Sequence, residues 1–184
     1  MKLKPNILFL ILLTTFLTVS YYYSDARFFK KEIENLDLKT PDTIFSFINK
    51  RFIHGGKNVH TNATPRHLYT NHKRLYCDEG AALIATFCYY NGYKTQFVRV
   101  INTKGIDSHT FLQAQEDGKW NSYDFTFQIK NARKDSLQKI SGLQIKKFTY
   151  YSYPRLYNKI IQYNFFLKKL ALFVRGIDES DKVE

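Results

Sequence analysis

The pattern of apolar and polar positions divides the 184-residue chain into three parts. An almost uninterrupted apolar run lies within residues 1–26 and predicts a signal peptide or an N-terminal membrane anchor. Residues 27–155 alternate helix-like and strand-like patterns and predict one folded domain, because no long linker interrupts them. Residues 156–184 predict a basic amphipathic helix followed by an acidic tail.

Helical spacing predicts two helices in the first third of the domain. Phe29, Ile33 and Leu36 recur along one face of the first. The second begins after Thr40, a hydroxyl N-cap that is followed by proline. Its buried stripe is predicted to consist of Ile44, Phe47, Ile48 and Phe52. Residues 54–72 are polar and predict a loop.

The centre of the domain combines one apolar helix with several strands. The stretch from Cys77 to Tyr90, CDEGAALIATFCYY, is apolar nearly all round and predicts a central, buried helix. Three strand-like segments follow, TQFVRVI, HTFLQAQ and KWNSYDFTF, and the last two are joined by EDGK, a hairpin turn. A polar, basic connection, QIKNARKDSLQK, leads to a further strand in GLQIKKFTYYSY. The predicted fold class is α+β, with the buried helix packed on an antiparallel sheet.

The apolar N-terminal run indicates that the domain is exported. Two lysines precede Ile7–Val19, and Ser24 and Ala26 offer the small residues of a cleavage site. If it is not cleaved, the segment 7–23 is just long enough to cross a bilayer, with Tyr21–Tyr23 at the interface. Both outcomes predict a protein of the cell envelope, either membrane-anchored or secreted.

The net charge of +12 indicates an anionic neighbourhood. Nucleic acid is not an expected partner, because the positive charge is spread along the chain and no nucleic-acid-binding module is recognisable. The basic, aromatic helix from Leu156 to Arg175 either lies on an anionic membrane surface or packs against the domain with its lysines directed outward. An apolar content of 44% is enough for a packed core, which excludes a largely disordered chain.

The two cysteines are informative because exported proteins usually pair their thiols. Cys77 and Cys88 lie on one predicted helix, separated by about 16 Å along its axis. A disulfide requires Cα atoms within about 7 Å, so the two cannot pair while the helix exists. Cys77 is therefore expected to be a free thiol at a helix start, where the helix dipole favours a thiolate, and Cys88 a core residue.

Most of the histidines fall in the predicted loop, namely His54, His60, His67 and His72. Their spacing is irregular, and no Asp or Glu lies between His54 and Cys77, whereas structural zinc sites use compact ligand pairs. We therefore predict no metal and no cofactor. One of these histidines could still line a cleft, because the loop leads directly to Cys77.

Cys77, His109 and Asp124 form the candidate catalytic site. A hairpin over residues 110–123 returns His109 and Asp124 to one edge of the sheet, because antiparallel strands bring their ends together. A thiol that attacks a carbonyl needs an imidazole to hold its proton, and the imidazole needs a carboxylate to fix its tautomer. The N–H groups at the helix start, including that of Cys77, can stabilise an oxyanion.

These residues, in this order and context, resemble the transglutaminase-like superfamily of papain-like Cys-His-Asp cysteine enzymes. The resemblance rests on CDEGAALIATFCYYNGYKTQFVRV, SHTFLQAQEDGKW and YDFTF, and it extends over residues 40–127. It implies that the catalytic and supporting positions are Cys77 as nucleophile, His109 as base, Asp124 as orienting acid, and Trp120 and Thr126 as supports.

The resemblance also implies a fold and a reaction. The implied fold is a papain/transglutaminase-like core, in which the helix carrying the cysteine packs on the sheet carrying the histidine and the aspartate. Members hydrolyse amide or isopeptide bonds or transfer the acyl group to an amine, so the implied partner is a protein or peptide substrate. Leu75 and Phe125 replace a common glycine and a common proline, which bears on loop geometry and substrate preference. The alternative is a catalytically silent binding or scaffolding domain of the cell envelope.

Overall fold

Five helices and seven strands follow one another along residues 5–55 and 64–153, the part of the chain that the structure, a computed structural model, describes. The helices are α1 (Pro5–Asn35), α2 (Pro41–Arg51), α3 (Pro65–Asn71), α4 (Cys77–Tyr90) and α5 (Lys134–Ser141). The strands are β1 (Ile53–His54), β2 (Arg74–Leu75), β3 (Thr95–Asn102), β4 (Asp107–Glu116), β5 (Lys119–Asp124), β6 (Ile129–Lys130) and β7 (Ile145–Tyr153). The predicted C-terminal helix and His60 lie outside the described residues.

The described residues fall into two units, and the first is the N-terminal part of α1, residues 5–28. The apolar run and the helix predicted after it are continuous, because α1 is a single helix of 31 residues. Several apolar side chains of this unit are exposed, among them Phe9, Leu12 and Phe16. Within the described residues, no helix has both the length and the apolar character needed to cross a membrane. The signal peptide, the anchor and export remain predictions.

Helix α4 lies at the centre of the second unit, which begins at Phe29. It packs on β4 of the sheet and also against α2 and α3. Phe29 packs its ring edge-on to Phe87 of α4, with 5.1 Å between the ring centroids. The predicted bounds, Cys77 to Tyr90, are confirmed. The helix ends because Gly92 adopts a φ of +90°, a conformation that glycine favours.

The main sheet has the strand order β6-β5-β4-β3-β7, and all of its neighbouring strands are antiparallel. β4 is therefore its central strand. Phe111 faces one side of β4, whereas Leu112 and Ala114 face the other, and all three are buried. On the Phe111 side, Leu137 of α5 completes an apolar cluster. Burial of both faces explains why the apolar alternation of this strand is weak in the sequence.

β4 and β5 form the hairpin that EDGK predicts. Asp117 and Gly118 make a two-residue turn with φ values of +48° and +77°, as a type I′ turn requires. Glu116 pairs with Lys119 across this turn. The turn thereby sets the register of β4 and β5, and their ends away from the turn lie at the candidate site.

The sequence-based prediction of a loop over residues 54–72 is wrong at His54 and over Pro65–Asn71, and residues 56–63 lie outside the described part of the chain. β1 reaches into this region, and α3 occupies its second half, where the Thr64 hydroxyl accepts a 3.2 Å hydrogen bond from the His67 backbone N–H. The predicted connection after β5 likewise holds β6 and α5, with Leu137 as the buried residue of α5. These elements are too short to produce a periodic pattern.

The predicted apolar faces of α1 and α2 are correct except at two positions. Leu36 is exposed, because α1 ends one residue earlier, and Leu38 is buried instead. Phe45 lies deeper than Phe47, because its ring packs against Tyr123 of the sheet with 5.4 Å between the centroids. The other predicted apolar positions are buried: Phe29, Ile33, Ile44, Ile48 and Phe52.

The predicted α+β fold is confirmed. A buried helix with Cys77 as its first residue packs on an antiparallel sheet. That sheet carries His109 on its central strand and Asp124 at the end of the next strand. The start of α4 and the ends of β4 and β5 away from the hairpin turn define the candidate site.

Candidate active site

Cys77 is the first residue of α4. The Tyr76 backbone N–H donates a 2.8 Å hydrogen bond to the Glu79 carboxylate, and this bond fixes the point at which the helix begins. The Cys77 side chain is only partly buried. The first backbone N–H groups of a helix have no carbonyl partner within it, so donors surround this sulfur.

The hairpin register brings His109 and Asp124 together. β4 and β5 pair as far as Leu112 opposite Tyr123, and Asp124 and His109 lie one and three residues beyond that pair, at the same end of the hairpin. His109 Nε2 lies 2.6 Å from Asp124 Oδ2, and the two residues are 5% and 0% exposed. Asp124 Oδ1 accepts a 3.1 Å hydrogen bond from the Phe127 backbone N–H. Both carboxylate oxygens therefore have a donor, as a buried charge requires.

Cys77 joins this pair through the same imidazole. Burial lowers the pKa of His109, but side-chain hydrogen bonds to Asp124 and Cys77, together with the charges of both, outweigh burial and raise the pKa to about 9. Nε2 is bonded to Asp124, which leaves Nδ1 for the thiol. His109 thus interacts with both the carboxylate and the thiol, so the three side chains form one interacting series, and the imidazole is protonated at neutral pH.

Aromatic rings hold the imidazole in its orientation. The ring of Phe127 lies 5.0 Å from that of His109 between centroids, and the ring of Phe111 lies 6.3 Å away. Phe127 therefore contacts the site twice, with its ring against His109 and with its backbone N–H on Asp124. These apolar surroundings exclude water and strengthen the electrostatic interactions within the series.

Gly80 of α4 lies in close contact with the segment that follows β5. A Cβ atom on Gly80 would overlap the ring of Phe125, which directly follows Asp124. Gly80 itself lies in the first turn of α4, after Cys77. The contact therefore links the strand that carries the carboxylate to the helix that carries the thiol. An isolated glycine within a helix, which costs about 1 kcal/mol relative to alanine, is a sequence signal for such an approach.

The Gly80→Ala variant should lose about 1–3 kcal/mol of unfolding free energy, because the added methyl group overlaps the Phe125 ring. This loss exceeds the gain of up to about 1 kcal/mol that alanine brings to a helix. Chemical denaturation measures the change. In a Phe125→Ala background most of the overlapping ring is absent, and the same substitution should cost less than half as much. Equal costs in the two backgrounds would contradict the contact.

Of the predicted loop histidines that the structure describes, His54, His67 and His72, it is His54 that lies beside the site. Its ring lies 6.4 Å from that of Tyr76, which precedes Cys77, and 6.2 Å from that of Phe125. The rings of His67 and His72 instead pack against each other, with 5.1 Å between centroids. The sequence left this choice open, because the pairing of β1 with β2 that positions His54 produces no local pattern.

The two predicted supporting residues, Trp120 and Thr126, are placed differently from the three candidate catalytic residues. Trp120 lies beside the hairpin turn, 42% exposed, about 13 Å along β5 from Asp124. Thr126 lies in the turn after β5, and its Oγ1 is buried without a hydrogen-bond partner among the described residues. The structure therefore brings together Cys77, His109 and Asp124 but leaves Trp120 away from them.

Among the described residues there is neither a metal site nor a second accessible thiol. No group of three His, Cys, Asp or Glu side chains among them could hold a metal ion. Cys77 and Cys88 are both free, and burial raises the pKa of the Cys88 thiol. Cys88 is a core residue, as its place in the apolar helix predicts.

Comparisons with known proteins include a distant likeness to a solved structure. No protein-family model matches the chain, and no curated protein matches it. Among solved structures, the chain is similar to a protein from Cytophaga hutchinsonii, provisionally described as a cysteine protease, with a TM-score of 0.48 and 13% identity. The match covers 71% of this chain and 52% of that protein, so the chain spans about half of its length. At this level of similarity we derive neither fold nor function from it.

Proposed function

We propose that the protein is a transglutaminase-like cysteine enzyme that acts on amide bonds of a protein or peptide substrate, by hydrolysis or by acyl transfer. The observation that carries this proposal is the interacting series of Cys77, His109 and Asp124, in which a thiol at the start of a buried helix lies beside a hydrogen-bonded imidazole–carboxylate pair. The roles are those of nucleophile, acid–base and positioning residue.

The proposed reaction begins with the proton of the Cys77 thiol held by His109. As the bond between Sγ and the carbonyl carbon forms, the π electrons of the carbonyl move to its oxygen. The resulting oxyanion lies beside the first N–H groups of α4. When it collapses, the C–N bond breaks, and the leaving amine takes the proton from His109. The acyl group stays on Cys77 as a thioester.

The second half of the proposed reaction releases the acyl group. Water or an amine attacks the thioester carbonyl and gives a proton to the neutral imidazole of His109. The C–S bond then breaks, which leaves the Cys77 thiolate beside the imidazolium. Water gives hydrolysis, and an amine gives acyl transfer. Asp124 acts as a positioning residue, because its bond to Nε2 fixes the ring and leaves Nδ1 to exchange the proton with the thiol.

Burial of the pair supports catalysis over a scaffolding role. In a domain that only binds a partner, the buried pair of His109 and Asp124 would stabilise the fold, but it would not require a partly exposed thiol beside it. We also propose that the enzyme acts outside the cytoplasm, at or near an anionic membrane surface. The apolar N-terminal run and the net charge of +12 support this location.

Alkylation by iodoacetamide across pH tests the proposed function. The imidazolium of His109 should keep Cys77 reactive at about pH 6, where an ordinary thiol is protonated and slow. Mass spectrometry of the peptides measures labelling at each cysteine, and buried Cys88 should stay unlabelled. In the His109→Ala variant the reaction of Cys77 at about pH 6 should slow at least about tenfold.

The matched control is His67→Ala, because His67 is an exposed histidine that packs against His72. Its labelling profile should equal that of the unmodified protein. If Cys77 reacts with the pH profile of an ordinary thiol in all three proteins, the domain is a scaffold and the proposal of an enzyme fails.

A further inference from the structure

His54 is held in place by the short parallel pairing of β1 with β2. It pairs with Leu75, and the Gly55 backbone N–H donates a 2.9 Å hydrogen bond to the Leu75 carbonyl. Adjacent strands lie about 4.8 Å apart, so the backbone of His54 lies one strand spacing from the segment that leads into Cys77. The position of this histidine is thus set by the same backbone that positions the nucleophile.

The ring of His54 contacts residues on both sides of the site. It lies 6.4 Å from the ring of Tyr76 and 6.2 Å from the ring of Phe125, measured between centroids. Tyr76 immediately precedes Cys77, and Phe125 immediately follows Asp124. The imidazole therefore lies where the helix start and the end of β5 meet.

His54 is electrostatically coupled to the catalytic pair. Partial burial lowers the pKa of His54, the nearby His109 lowers it further, and Asp124 acts in the opposite direction. The ring is consequently neutral at neutral pH, and a neutral imidazole has one N–H donor and one acceptor nitrogen. Its side chain is also exposed, so a substrate can reach it.

The proposed thioester chemistry leaves a role for such a donor. The oxyanion carries a full charge, and the N–H of Cys77 supplies one hydrogen bond to it. We infer that the His54 imidazole donates a hydrogen bond to the carbonyl oxygen of the substrate, and that this bond strengthens as the oxyanion forms. This inference rests on the proposed function and assigns His54 as a further catalytic residue.

Two reactions of Cys77 separate this role from a structural one. Acylation by p-nitrophenyl acetate passes through an oxyanion, whereas alkylation by iodoacetamide does not. His54→Phe keeps a ring against Tyr76 and Phe125 but removes the N–H donor. We expect it to slow acylation of Cys77 by about 10²-fold or more while alkylation keeps its rate. Mass spectrometry of the Cys77 peptide measures both rates, and hydroxylamine identifies the thioester.

Further variants make the test specific. His54→Gln restores an N–H donor and should recover acylation to within about tenfold of the unmodified protein. His54→Leu is a second variant without a donor and should behave as His54→Phe does. His67→Phe is the matched control at an exposed histidine and should leave both rates unchanged. Thermal unfolding checks that each variant is folded.

The outcomes are distinct. Acylation at the normal rate in His54→Phe and His54→Leu would show that the ring only packs, which overturns the inference. An equal loss of acylation and alkylation would show that His54 acts on the thiolate rather than on the oxyanion, which overturns it too. If the unmodified protein forms no thioester, it is the proposed function that fails.

Discussion

Replacement of Cys77 by alanine should abolish thioester formation with p-nitrophenyl acetate. Loss of the nucleophile removes the covalent step itself, so the rate of acylation should fall at least about 10⁴-fold, to the level of background hydrolysis. Release of p-nitrophenolate measures the rate, and the mass of the Cys77-containing peptide after an acid quench shows where the acyl group resides.

The matched control is Cys88→Ala, which removes the other thiol. Cys88 is fully buried in α4, and its replacement leaves Cys77, His109 and Asp124 in place. Acylation should therefore continue at nearly the normal rate. Acylation that is lost with Cys88, or that survives without Cys77, contradicts the assignment of the nucleophile.

Asp124→Asn should produce the second largest loss, in the range of about 10²–10⁴-fold in acylation. The amide cannot replace both functions of the carboxylate. If its NH₂ faces His109 Nε2, the imidazole must carry its proton on Nδ1, where it blocks acceptance of the thiol proton. If its oxygen faces His109, its NH₂ meets the Phe127 backbone N–H, and a donor faces a donor. The first orientation keeps both hydrogen bonds but fixes the unproductive tautomer, and the second loses the hydrogen bond from the Phe127 N–H in a buried position.

The same variant should change the pH dependence of activity. The pKa of His109 is raised from 6.5 to about 9, so activity that needs the imidazolium should fall as pH rises through about 9. Without the carboxylate, burial lowers the pKa of His109, and the fall should occur at lower pH. Rates of acylation across pH measure the shift. An Asp42→Asn control, at an exposed ion pair with Lys130, should keep the normal profile.

The pH dependence of stability provides an independent check that the pKa of His109 is raised in the folded protein. Because the folded pKa of His109 lies above the unfolded value, the protonated ring stabilises the fold below about pH 6.5, and this contribution is lost as pH rises to about 9. Chemical denaturation at both ends of that window should show the loss. In Asp124→Asn the loss should be much smaller. An unchanged difference would place the source of the pH dependence elsewhere.

Much of the fold could be predicted from local patterns. The bounds of α4 follow from an apolar run that ends before Asn91 and Gly92, and the β4–β5 hairpin follows from the turn at Asp117 and Gly118. The short elements β1, α3 and α5, with two, seven and eight residues, were not predicted, because a two-residue strand or a helix of about two turns completes too few periods to be recognised.

The part of the candidate site that depends on local structure could also be predicted from the sequence. His109 and Asp124 are brought together by a hairpin, and a hairpin is local, so the turn and the strand lengths suffice to place them. His54 and Phe125 meet near the first turn of α4 through contacts between residues far apart in the sequence. Such contacts produce no periodic signal, and only the lone Gly80 within the helix marked one of them.

The sequence by itself determined the helix and the hairpin that carry the candidate site, the identity of its three candidate catalytic side chains and the impossibility of a disulfide between Cys77 and Cys88. Only the tertiary structure decided which imidazole nitrogen faces the carboxylate, how the end of β5 approaches α4, and which histidine borders the nucleophile. The physical reason is the range of the interactions. Helix and hairpin formation depend on neighbours in the chain, whereas orientation within a buried site depends on packing between elements that the chain brings together only on folding.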